Sequence, residues 1–190
     1  MLARLRHILD QHGSERFPVA ELEADMASAG KSLAFEATEV DELLTMKYQG
    51  QGTFPVLALL YPGLDLSKAF HEDHIFPRSR FTAKRLSDAG IHTEDIPAYL
   101  DAVNQLPNLQ LLSGIRNVEK LANLPEAWLA AAFPTDVQRD TYLRENDLDG
   151  LPLQLEAFLK FFDARKERMR QRLIALLGAT PVPPEPTSAA

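Results

Sequence analysis

The feature that most constrains this chain is a short extended stretch, Phe70 to Phe76 (FHEDHIF), closed by Pro77 in a sequence otherwise dominated by helical spacing. Proline brings no N–H to a strand ladder and stops the run. A single strand leaves a row of unpaired backbone N–H and C=O groups, so the fold must bring a second one to it. That second candidate is Asn108 to Leu112 (NLQLL). Paired, and followed by a helix read over Gly114 to Asn123, the two form a small β-β-α unit. The fold class expected is mainly α with this motif embedded in it.

Apolar residues at helical spacing mark the rest. Leu2, Leu5, Ile8 and Leu9 predict a helix over Met1 to Gln11, with others over Pro18 to Ala29 and Glu39 to Met46. Thr38, ahead of Asp41 and Glu42, reads as the cap of that third helix. Pro55 to Tyr61 (PVLALLY) is apolar all round and fits a buried helix or strand equally. Residues 85–102 are polar, with Gly90 and Pro97, and read as a helical insertion between the two strands. Trp128 to Phe133 and Asp136 to Asn146 suggest a helical pair, with Trp128, Phe158 and Phe162 as core. Leu153 to Leu177 forms a long amphipathic helix with Leu155, Phe158, Leu159 and Phe162 on one side. Thr180 to Ala190 (TPVPPEPTSAA) has the composition of a disordered tail. The expected division is a helical segment over 1–38, a main domain over 39–178 and a Pro-rich tail over 179–190.

Composition narrows the chemistry. There are no cysteines, so disulfides and Cys-ligated zinc are excluded, and any metal must be held by His, Asn, Asp, Glu, backbone oxygen or water. A net charge of −7 argues against a general nucleic-acid coat. The charge is unevenly spread, however: residues 66–85 hold 5 bases and 2 acids, whereas residues 86–160 hold 5 bases and 12 acids. A local polyanion footprint survives an acidic total. No apolar run approaches the roughly 20 residues of a membrane span and no signal-peptide pattern opens the chain, so a cytoplasmic location is expected.

The basic stretch surrounds His71-Glu72-Asp73-His74. A zincin helix needs H-E-x-x-H, whereas these histidines are three apart in an extended segment. Taken singly, each residue has an ordinary explanation. A histidine is usually structural or exposed, Asn108 fits a turn, Asn117 fits a helix start, and Arg78, Arg80, Lys84 and Arg85 fit a solvated face. Together with Lys120 they supply what phosphodiester hydrolysis requires. A neutral imidazole takes a proton from water, and a carboxylate with an amide oxygen suits a hard divalent cation.

The segments DHIFP (73–77), NLQLL (108–112) and NVEK (117–120) resemble the HNH, or ββα-metal, nuclease superfamily. The nearest resemblance is to the C-terminal HNH domain of GmrSD-type restriction endonucleases, which stands beside a ParB-like NTPase domain. It extends to Tyr48, Thr53-Phe54, Leu57, Leu60-Tyr61-Pro62, Trp128-Leu129, Phe133, Phe158, Phe161 and Arg165.

The resemblance implies that Asp73 and Asn117 are metal ligands and His74 is the general base. It puts Asn108 in the middle, mainly structural position of the catalytic set and Lys120 within reach of phosphate. The step from Asn108 to Asn117 is nine residues, as is usual between those positions. The cofactor implied is a divalent metal, Mg²⁺ first and Mn²⁺ or another ion second. The implied partners are DNA, contacted by Arg78, Arg80, Lys84 and Arg85, and a ParB-like NTPase domain on a separate or longer chain. His71 shares strand parity with Asp73 and is a candidate to support a ligand. Asp73 and His74 point to opposite faces of a regular strand, so serving one metal together calls for a bend between them. The expected activity is DNA cleavage in restriction or defence, against a rival reading as a non-catalytic docking module.

Overall fold

The structure, a computed structural model, describes residues 2–13, 16–30, 35–61, 63–65, 67–114, 120 and 122–179. It is mainly helical with one two-stranded antiparallel ribbon. In chain order, α1 (Leu2–His12), α2 (Val19–Ser28), α3 (Ala37–Leu44) and α4 (Thr53–Leu60) precede β1 (Phe70–His74). Then come α5 (Ala83–Asp88), α6 (Ile96–Ala102), β2 (Leu109–Ser113), α7 (Pro125–Ala132), α8 (Asp136–Glu145) and α9 (Phe158–Leu177). Among the described residues no helix is long and apolar enough to cross a membrane. Asn117, most of the helix expected over 114–123 and the tail from Thr180 lie outside the described residues.

The ambiguous apolar run resolves as α4. Gly52, at φ 99, turns the chain into it with a left-handed conformation that suits glycine. Val56, Leu57 and Leu60 are then buried against Val40 and Leu44 of α3, Leu109 and Leu111 of β2, and Met169 and Leu173 of α9. The start of α3 corrects the sequence reading. Thr38 is inside the first turn, and the cap is Glu36, whose backbone N–H donates to the Glu39 carboxylate at 2.8 Å. A carboxylate reaching back along the first turn satisfies an otherwise orphaned donor there.

β1 ends two residues earlier than expected. Ile75, Phe76 and Pro77 are consecutive and all buried. A strand alternates its side chains between faces, so it cannot send two successive large apolar groups into one core. The chain turns instead, and Ile75 and Phe76 enter a cluster with Phe81, Leu86, Tyr99, Phe158 and Phe161. The segment between the strands is indeed helical, and α5 and α6 supply Leu86, Ile96 and Tyr99 to the same cluster. It is part of the core.

The register of the ribbon runs from Phe70 opposite Ser113 to His74 opposite Leu109. One face carries Glu72, His74, Leu109 and Leu111, and the other carries His71, Asp73, Gln110 and Leu112. Leu109 and Leu111 pack into the α3–α4–α9 core, and Leu112 packs on Trp128, Leu129 and Phe133. β2 is thus buried on both sides, which explains its nearly unbroken apolar sequence.

The arginines of α9 are spent within the fold. Arg165 is fully buried and donates to the carbonyls of Pro107 (2.7 Å), Leu109 (2.8 Å) and Asn146 (3.2 Å) and to the Tyr61 hydroxyl (3.0 Å). Arg168 holds the Asp147 carbonyl, Arg170 pairs with Asp41 and Arg172 with Asp147. Burying a guanidinium is costly unless its donors are met; the two terminal nitrogens of Arg165 are met by these oxygens, while its buried Nε has no partner among the described residues.

Candidate active site

Of the described candidate residues, Asp73, His74, Asn108 and Lys120 gather where β1 ends. Asn108 is the anchor. It is fully buried, accepts the Phe76 N–H at 3.0 Å, and donates to the carbonyls of Phe76 (3.1 Å) and Val103 (2.8 Å). Its own carbonyl accepts the Ile75 N–H at 2.8 Å. One amide thereby ties the turn after His74 to the end of α6. It touches only backbone, so its place in the site is to shape the turn.

Asp73 stands opposite Gln110, which donates to its Oδ2 at 2.9 Å. Tyr142 donates in turn to the Gln110 amide oxygen at 2.7 Å. Lys120 pairs with the same Asp73 oxygen at 2.9 Å, donates to the His74 carbonyl, and lies 6.0 Å from the Trp128 ring centre. Only 1% of its side chain is exposed. Burial pushes the ammonium below the usual lysine range, with the Asp73 carboxylate pulling the other way. The expectation that Lys120 reaches phosphate therefore differs from what is found: its ammonium is directed inward. Asp73 Oδ1 has no hydrogen-bond partner among the described residues.

His74 occupies the other face. Its Nε2 is 3.0 Å from Asn104 Oδ1, and the Tyr48 ring lies against it with centroids 4.5 Å apart. Burial pushes its pKa below the ordinary value. Asn104 and Asp73 oppose the shift, and the positive charges of Lys120 and Arg78 add to it. Burial thus favours the uncharged imidazole. The expected bend between Asp73 and His74 is absent, because regular pairing continues through His74 and the chain turns only afterwards. The carboxylate and the imidazole diverge around the strand end.

Glu72 accepts the Gln49 N–H at 2.6 Å, fastening the loop that carries Tyr48. His71 is exposed beside Gly114. Beyond the turn, Arg78 and Arg80 are exposed with no ion pair or side-chain hydrogen bond among the described residues. Lys84 pairs with Asp88 at 2.6 Å, and Arg85 folds back onto the Ser79 carbonyl. Of the four bases, Arg78 and Arg80 offer uncommitted charge.

The sequence left Asn104, Gln110 and Tyr142 without a role. Gln110 had a readable signal, since a polar residue inside a buried strand requires a partner. Asn104 and Tyr142 had none.

Among the described residues no group of three or more His, Asp or Glu is placed to hold an ion. A hard divalent ion that keeps several waters needs only one or two protein oxygens. The unpartnered Asp73 Oδ1 fits that demand as one such oxygen. No protein-family model matches this chain, and no curated protein matches it. What the fold and the site define by themselves is a mainly helical protein whose two-stranded ribbon ends in a histidine and a carboxylate, with two exposed arginines nearby that have no ion pair among the described residues.

Proposed function

We propose that this chain is an HNH-type, metal-dependent endonuclease that hydrolyses DNA phosphodiester bonds in restriction or defence against foreign DNA. The observation that carries the reading is the partly buried His74, its ring held by Asn104 and Tyr48, beside a supported carboxylate and two arginines with no ion pair among the described residues. A neutral imidazole is the form that accepts a proton. In-line displacement puts the attacking water and the leaving oxygen on opposite sides of phosphorus. Divergence of His74 and Asp73 around the strand end suits that demand.

His74 takes the proton from water as the oxygen attacks phosphorus. Arg78 and Arg80 draw the phosphate backbone to the ribbon end. Asp73 and Asn117 would hold the divalent ion, which supplies charge neutralisation at the phosphate and the leaving 3′ oxygen when bound. Gln110 and Lys120 keep the Asp73 carboxylate in place. A ParB-like NTPase, on a separate or longer chain, is the partner proposed for target choice.

Plasmid nicking with Mg²⁺ or Mn²⁺, lost on adding EDTA and lost in His74→Ala, is the expected result. Undiminished nicking by His74→Ala refutes the mechanism. The second reading, a docking module without catalysis, draws on one observation: Lys120 already provides a cation for Asp73. That reading requires a DNA gel shift indifferent to EDTA and no cleavage with any ion.

A further inference from the structure

The base nitrogen of an imidazole depends on what holds the other nitrogen. A neutral ring carries one N–H donor and one lone-pair acceptor, and the fixed partner of one decides the role of the other. His74 has such a partner in Asn104 Oδ1, 3.0 Å from Nε2. An amide oxygen only accepts, so this contact requires the proton on Nε2.

Asn104 is itself held in place. Its carbonyl accepts the Tyr48 N–H at 2.8 Å, and the next residue, Gln105, bridges to Lys47 across an antiparallel contact. Leu106 N–H donates to the Met46 carbonyl at 2.8 Å. Segments 46–48 and 104–106 thus zip together, presenting the Tyr48 ring and the Asn104 amide to the same imidazole. Gln49 ties this brace to β1 through Glu72, two residues before His74. Among the described residues the other half of the site reaches His74 only at its backbone, where Lys120 donates to the carbonyl.

We infer that Asn104 is a positioning residue for His74, whose side-chain oxygen holds the Nε2 proton and leaves Nδ1 as the nitrogen that receives the proton from water. The inference deepens the endonuclease reading and rests on His74 acting as its base. Tyr48 packs on the ring and limits its rotation; Asn104 fixes which nitrogen faces the reaction.

The test is nitrogen–proton correlation spectroscopy of the imidazoles in ¹⁵N-histidine-labelled, metal-free full chain at about pH 8, where histidine is neutral. The sequence holds five histidines, and His74→Gln assigns the signal of interest. The expected result is a slowly exchanging proton on Nε2 of His74. It is lost in Asn104→Leu and kept in Asn104→Asp, which retains an acceptor at that position. A proton on Nδ1, no slowly exchanging Nε2 proton in the wild type, or its persistence in Asn104→Leu overturns the inference. Circular dichroism checks that Asn104→Leu is folded, and should it unfold, the wild-type spectrum and Asn104→Asp still decide.

In plasmid cleavage, Asn104→Leu lowers kcat by about tenfold or more with KM unchanged, and Asn104→Asp restores it. A chain that cuts no DNA with any ion removes the endonuclease reading, while the Nε2 proton is judged separately by the spectrum.

Discussion

Replacing Asn108 by alanine removes a side chain that no solvent reaches and that makes three hydrogen bonds to backbone. The Phe76 N–H and the carbonyls of Phe76 and Val103 lose their partner together. The Val103 carbonyl follows α6 and is one of the groups a helix end leaves orphaned. Leaving a buried polar group unsatisfied costs about 1–3 kcal/mol. A single water in the vacated space recovers part of this, so the expected loss is about 3–5 kcal/mol. That is a large fraction of the roughly 5–15 kcal/mol total stability of a folded domain. Asn108→Asp sharpens the argument. It keeps an acceptor for the Phe76 N–H but sets a buried carboxylate oxygen against two carbonyls, and it is expected to be at least as damaging. Urea unfolding measures both, with a lower midpoint and an unchanged slope. A loss below about 1 kcal/mol in Asn108→Ala, or a milder effect in Asn108→Asp, refutes the view that this amide clamps the turn.

Arg165→Lys is expected to destabilise by about 2–4 kcal/mol in the same assay, because an ammonium cannot span the carbonyls of Pro107, Leu109 and Asn146 as the planar fork does. Tyr61 predicts a pH dependence. Burial raises its pKa, so its contribution is full below the ordinary tyrosine value and is lost as pH rises through the folded-state value. The difference in urea midpoint between wild type and Tyr61→Phe therefore shrinks as pH climbs past about 10, and a widening difference contradicts the assignment. Arg78→Ala and Arg80→Ala each reduce the salt dependence of DNA binding by about 0.9 in log–log slope. Lys84→Ala leaves the slope nearly unchanged because Asp88 already neutralises it. Equal effects from all three remove the distinction between uncommitted and paired bases.

The two strands and the helices between them were readable because their signals are local: an extended run closed by a proline, an apolar run after Asn108, and helical spacing between. The end of β1 at His74 was not, because it is set by where Ile75 and Phe76 enter the core. What stayed hidden is non-local. The carboxylate–amide–phenol chain of Asp73, Gln110 and Tyr142 joins three elements, and no spacing encodes such a meeting. The same holds for Asn104, which reaches His74 only because residues 46–48 pair with 104–106.

The sequence by itself determined the helical majority, the one ribbon and the cluster of ionisable groups at its end, because periodicity and proline act on neighbouring residues. Only the tertiary structure decided which charges are spent. Arg165, Arg170 and Arg172 go to the interior or to carboxylates, Lys120 turns inward to Asp73, and Arg78 and Arg80 stay exposed without a partner among the described residues. A charged side chain has the same formula in every environment, and burial with partners from distant parts of the chain determines its role.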